Sequence, residues 1–152
     1  MTNSWKLLCA SAILVLLASC ASSEIGKPRS MDSDEVTHNL QRITFTIPDG
    51  FAFEQGATHS EFSGQPAWSA RFDAPNELGN GLTPSAANPS YPPLRPFTCQ
   101  SVPPGSWTSV NFTCESEMLS TSAEPKSTTD PVTVLLTRDG QRSSLYIYCQ
   151  GH

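Results

Sequence analysis

One long apolar run, Leu7–Ala18, stands near the start of this chain of 152 residues, and from residue 40 onward the apolar positions come in short alternating groups. Ile43, Phe45 and Ile47 alternate with Thr44 and Thr46, the period of a half-buried strand. Pro48-Asp49-Gly50 reads as a turn and Phe51–Glu54 resumes the alternation, so a hairpin over 43–54 is expected. In Ala67–Phe72, Trp68, Ala70 and Phe72 fall on one face and Ser69 and Arg71 on the other. Further strands are expected over Phe97–Val102 and Trp107–Cys114, around the turn residues Pro103–Ser106. The clearest pair comes last: Val132–Thr137 and Ser143–Cys149 flank Asp139-Gly140 and predict a hairpin. Pairing about that turn sets Val132, Val134 and Leu136 on the same face as Leu145, Ile147 and Cys149, with Tyr146 and Tyr148 opposite.

The polar stretches divide these groups. Residues 21–39 show no apolar period and read as a tether, with at most a helical turn near Asp32–His38. Residues 73–96 carry six prolines and read as a long loop, and 115–131 as a polar connection. The pattern predicts an all-β domain, a small antiparallel sandwich or barrel of about seven or eight strands, behind an N-terminal signal helix and a flexible tether. The expected organisation is a signal over 1–19, an attachment cysteine and tether over 20–39, and a β-rich domain over 40–152.

The apolar run is 12 residues long and follows Lys6. A bilayer span needs about 20, whereas a positive start, a short apolar segment and small residues after it describe an export signal. Its end is more specific. Leu17-Ala18-Ser19-Cys20 resembles the lipobox of bacterial lipoproteins, and the resemblance covers residues 1–20 alone. It implies cleavage before Cys20, a diacylglyceryl group on the Cys20 thiol and acylation of the new N-terminus. Two or three acyl chains anchor stably where one does not. The expected address is therefore extracytoplasmic, lipid-anchored to the cell membrane, or to the outer membrane where two are present. Ala21 after the cysteine resembles the outer-membrane sorting pattern.

Charge narrows the partners. Fourteen Asp and Glu face eight Lys and Arg once Lys6 is set aside. An acidic domain lacks the basic stripe that nucleic acid requires and gains nothing from anionic lipid head groups. The membrane partner is expected through the lipid anchor alone, and the further partner is an envelope protein or a cell-wall component.

The cysteines sort by place: Cys9 in the signal, Cys20 as the lipid site, and Cys99, Cys114 and Cys149 in an oxidising setting where an odd count leaves one thiol over. Strand alternation points all three inward. Cys99–Cys114 is the nearest pair in sequence, with either pairing to Cys149 as an alternative; a tight turn at 103–106 would set Val110, not Cys114, opposite Cys99. Large apolar residues are sparse after residue 40, and thin cores in exported domains are commonly stapled by disulfides.

No C-x-x-C is present and no His stands at motif spacing from a Cys, so no metal is expected. No G-x-S-x-G, S-x-x-K, G-x-x-x-x-G-K or G-x-G-x-x-G appears, so neither a catalytic serine nor a nucleotide cofactor is expected. His59 and Glu61 could share a strand face, the cluster Asp32, Asp34, Glu35 and His38 reads as solvated, and His152 reads as mobile. Tyr91, Trp107, Tyr146 and Tyr148 are the binding candidates, as Tyr and Trp favour interfaces; the competing reading has them covering the second face of a sandwich. The chain is expected to be a non-catalytic binding or interaction domain. An inhibitor or accessory factor of an envelope hydrolase is the alternative, and a small envelope enzyme ranks last.

Overall fold

The computed structural model describes residues 27–59, 64–75, 87–102, 105 and 107–152. The signal, the lipobox and Cys20 lie outside the described residues. The fold is all-β, with seven strands described: β1 (Pro28–Met31), β2 (Ala52–His59), β3 (Trp68–Pro75), β4 (Arg95–Pro96), β5 (Glu117–Ala123), β6 (Val132–Arg138) and β7 (Arg142–Cys149). They form one sheet in the order β1-β2-β3-β7-β6-β5-β4, every pair antiparallel. The described residues also hold the helix α1 (Ser33–Arg42) and two short 3-10 turns, Cys99–Ser101 and Trp107–Val110.

The expected β6–β7 hairpin is present. Val132, Val134 and Leu136 stand opposite Cys149, Ile147 and Leu145. The Asp139 carboxylate accepts the Gln141 and Arg142 amides, each at 2.8 Å, and Gly140 takes the positive φ the turn needs. Trp68, Ala70 and Phe72 lie on the same buried face as those residues.

Residues 28–39 are not a free tether. β1 pairs with β2 from Pro28↔His59 to Met31↔Gly56, and α1 follows at once. Asp32 caps it, accepting the Asp34 and Glu35 amides at 3.0 and 2.9 Å, while Glu35 accepts the Asp32 amide. This reciprocal box satisfies helix N–H groups that would otherwise lack partners. Val36 and Leu40, one turn apart, bury against the first face of the sheet. Two apolar residues at helical spacing are a weak signal, which hid the helix among polar neighbours.

The expected strand over 43–47 is a second correction. Thr44 has φ 52° and the segment joins no ladder. Ile43, Phe45 and Ile47 do face the core as the alternation requires, but the backbone finds other partners. The Asn88 amide pairs with Thr46 from both ends, at 2.6 and 2.8 Å, and the Tyr91 hydroxyl donates to the Ile43 carbonyl at 2.8 Å. Period two reports which side is buried, not what the main chain bonds to. The same limit applies to 97–102 and 107–114, which hold 3-10 turns instead of strands. Trp107 and Val110 bury at an interval of three, the spacing of such a turn. Conversely, β5 lies within the expected polar connection. Its serines and threonine occupy a strand near the sheet edge, where little apolar area is required.

α1, residues 43–47 and Tyr91 therefore cover one face of the sheet, and residues 97–114 cover the other, so Leu135 and Tyr146 are as buried as Leu136 and Ile147.

Candidate functional site

Residues 97–116 connect β4 to β5, two neighbouring antiparallel strands, and those described, 97–102, 105 and 107–116, form a flap over the second face. Cys99 and Cys114 close it with a disulfide, Cα atoms 5.7 Å apart. Both residues are exposed, not inward-pointing, because neither stands in a strand. Beyond the disulfide the flap reaches across β6 and β7 to β3 and β2. Trp107 and Val110 pack on Ala57, Leu135 and Tyr146, with Phe97, Val102, Phe112 and Tyr148 around them. Ring centroids lie 5.4 Å apart for Trp107 and Tyr148, and 5.1 Å for Phe112 and Tyr146, within the range of favourable aromatic pairs.

Polar bonds pin the far end. Gln55 donates to the Ser109 carbonyl at 2.9 Å and accepts from the Asn111 amide at 2.8 Å. Arg71 forks onto Asp73 at 2.8 and 2.7 Å, reaches the Asn111 carbonyl at 3.4 Å and lies 5.7 Å from the centre of the Tyr146 ring. The Asp73 bond raises the Arg71 pKa further, so this cation stays charged beneath the flap. A bidentate pair with a cation–π contact is a strong, oriented brace.

The four aromatic candidates do not make one exposed surface. Tyr91 lies in the first-face core, while Trp107, carried by the flap, packs on Tyr146 and Tyr148 of β7 beneath it. Tyr91, Trp107 and Tyr146 are at most 5% exposed. Alternation named the right face but could not see a cover arriving from elsewhere in the chain. Burial also raises the Tyr91 phenol well above its ordinary value, so it stays a donor. Cys149 is the free thiol among the described residues, buried, and its pKa is pushed up to about 11 by that burial. A thiol so placed is inert.

Of the histidines, His38 is exposed. His59 lies 3.3 Å from the Ser109 hydroxyl; among the described residues no carboxylate hydrogen-bonds it, and Ser60 and Glu61 lie outside them. His152 has partners in the structure. It exchanges backbone hydrogen bonds with Gln65 in both directions and its Nδ1 meets the buried Asp130 carboxylate at 2.5 Å. Among the described residues no group of three His, Cys, Asp or Glu side chains is placed to hold a metal.

Two open clefts are lined by described residues. One, about 280 Å³, lies between Pro92–Phe97 and Ser120–Ser122 at the β4 edge. The other, about 240 Å³, lies between β1, α1 and Pro66 at the opposite edge. No protein-family model, curated protein or solved structure matches this chain.

Proposed function

We propose that this chain is a lipid-anchored, extracytoplasmic binding domain, held at a bacterial envelope membrane through Cys20 and working by contact with an envelope partner. The Cys99–Cys114 disulfide is the observation that carries the reading. Disulfides form and persist in oxidising compartments, on the side of the membrane to which a signal such as Leu7–Cys20 would deliver the chain. The covered faces support a contact role at the rim: α1 and the flap occupy both sides of the sheet centre, leaving the β1 and β4 edges with their clefts.

Covalent geometry adds a constraint. Seven residues lie between Cys20 and Pro28, and the eight steps from one to the other reach at most roughly 29 Å. The sheet begins at Pro28, so a Cys20 anchor would hold β1 near the lipid surface and leave the β4 edge farther along the sheet.

The test is Cys20→Ala with membrane fractionation. Wild type is expected in the membrane fraction, and the variant is expected either released or retained at the unprocessed mass. A variant processed and retained like wild type would overturn the anchor.

A further inference from the structure

A disulfide in a thin-cored exported domain is commonly a staple of the core. Cys99–Cys114 stands elsewhere. It lies outside both buried clusters, and both half-cystines are exposed. It sits at the neck of the flap, where the chain is already held on either side of it.

On the sheet side, Arg95 and Pro96 pair with Ser120 and Leu119, and the Phe97 amide donates to the Met118 carbonyl at 3.0 Å. That pairing closes the chain just outside the disulfide. On the flap side, Trp107 and Val110 are buried against Ala57, Leu135 and Tyr146. The Phe112 amide donates to the Trp107 carbonyl at 3.1 Å, and Gln55 and Arg71 bond to Ser109 and Asn111. The disulfide, with a sequence separation of 15, therefore lies inside a loop that Phe97 and Met118 have closed. Closure entropy grows only with the logarithm of loop length, so in the folded domain opening the disulfide changes the closure of the flap by about twofold. Cys149 lies in the first-face core, across the sheet from the flap, and is buried. It is out of reach of the pair while the domain is folded.

We infer that Cys99–Cys114 is a reversible thiol–disulfide exchange site, opened and reclosed by a dithiol while the domain stays folded. Exposed disulfides are the labile ones, because an attacking thiolate can reach them. The exchange balances between the two molecules. One thiolate of the dithiol attacks a cysteine sulfur, the S–S bond breaks, and the departing cysteine thiolate takes up a proton. The second thiol of the reagent gives up its proton and displaces the other cysteine. The dithiol leaves as its own disulfide, oxidised by two electrons, and Cys99 and Cys114 are left as thiols. The site rests on the geometry of the flap alone. Its natural reagent, a dithiol protein of the envelope, rests on the extracytoplasmic reading.

The test uses the full chain, purified in detergent, with dithiothreitol as the dithiol. Reduction in native buffer is followed by alkylation and peptide mapping. Alkyl groups are expected at Cys99 and Cys114 and not at Cys149, with an unchanged far-UV circular dichroism spectrum. Amide hydrogen exchange over 107–112 should shift by only about twofold on reduction. Oxidised glutathione, added after dithiothreitol is removed, should restore the bond. Reduction that requires denaturant, alkylation of Cys149 along with the pair, or failure of the bond to reclose would overturn the site. So would amides over 107–112 that exchange more than about tenfold faster, since the disulfide would then be what holds the flap down. Each of these failures leaves the anchor standing, because Cys20→Ala tests that separately.

Discussion

Asp139 shows how a single side chain sets a turn. Its carboxylate takes two successive amides, and those bonds hold its pKa below the ordinary aspartate value of 3.8. Because the unfolded chain binds this proton at higher pH than the native one, stability from Asp139 is present above that value. It is lost as pH falls through the lowered native value. Asp139→Ala should therefore be less stable than wild type at neutral pH, with a gap that closes on acidification; urea unfolding across pH reads it. A gap that widened in acid would contradict the assignment. Ser143 argues in the opposite sense. It is fully buried, and its hydroxyl has no hydrogen-bond partner. A buried hydroxyl without a partner carries an uncompensated desolvation cost, so Ser143→Ala should be neutral or stabilising by up to about 1 kcal/mol in the same experiment. A clear loss of stability would mean that the hydroxyl is bonded. The Asp139-Gly140 turn was legible in the sequence because its chemistry is local. The exposure of Cys99 and Cys114 was not, since their orientation follows from a flap whose path depends on distant contacts.

At the scale of elements, α1 fits closely against β2 at Gly56. A Cβ added at Gly56 would stand 2.7 Å from Val36 Cγ2 and 3.1 Å from Met31 Cβ. Val36 is 1% exposed and Met31 6%, so neither can swing away. Gly56→Ala should cost about 1–3 kcal/mol, the range for overpacking a close-packed interface, and denaturant unfolding measures it. A neutral result would show that α1 can lift without penalty. The helix was faint in the sequence because its cap is polar and its buried face is two residues wide. Residues 43–47 misled for a different reason. Their alternation is real and their burial follows it, yet Asn88 supplies the hydrogen bonds that a neighbouring strand would have made. Asn88 lies 42 residues away in sequence, and no local pattern announces that pairing.

Over the whole molecule, the order β3-β7-β6 joins residues 68–75 directly to 142–149, so the last hairpin is inserted beside a strand from the first half of the chain. The sequence carried the strand faces and the antiparallel class, but not this order, because long-range pairing leaves no local trace. The same order explains why both faces are dry at the centre and why the functional candidates move to the rim. Three of the aromatic residues expected to meet a partner, Trp107, Tyr146 and Tyr148, instead fix the flap. On the proposed reading, lipid attachment at Cys20 would hold this small acidic domain beside a membrane for which its own charge has no affinity. The cysteines tie the account together: Cys99 and Cys114 are bonded, Cys149 is buried, and Cys20, outside the described residues, is the proposed lipid site.

Intact mass spectrometry of the protein extracted from membranes, denatured and alkylated without reductant, tests that account most directly. The predicted species begins at Cys20, carries a diacylglyceryl group and an N-acyl chain, and takes up a single alkyl group at Cys149. A chain beginning at Met1 without lipid would contradict the anchor, and three alkylated cysteines would contradict the disulfide.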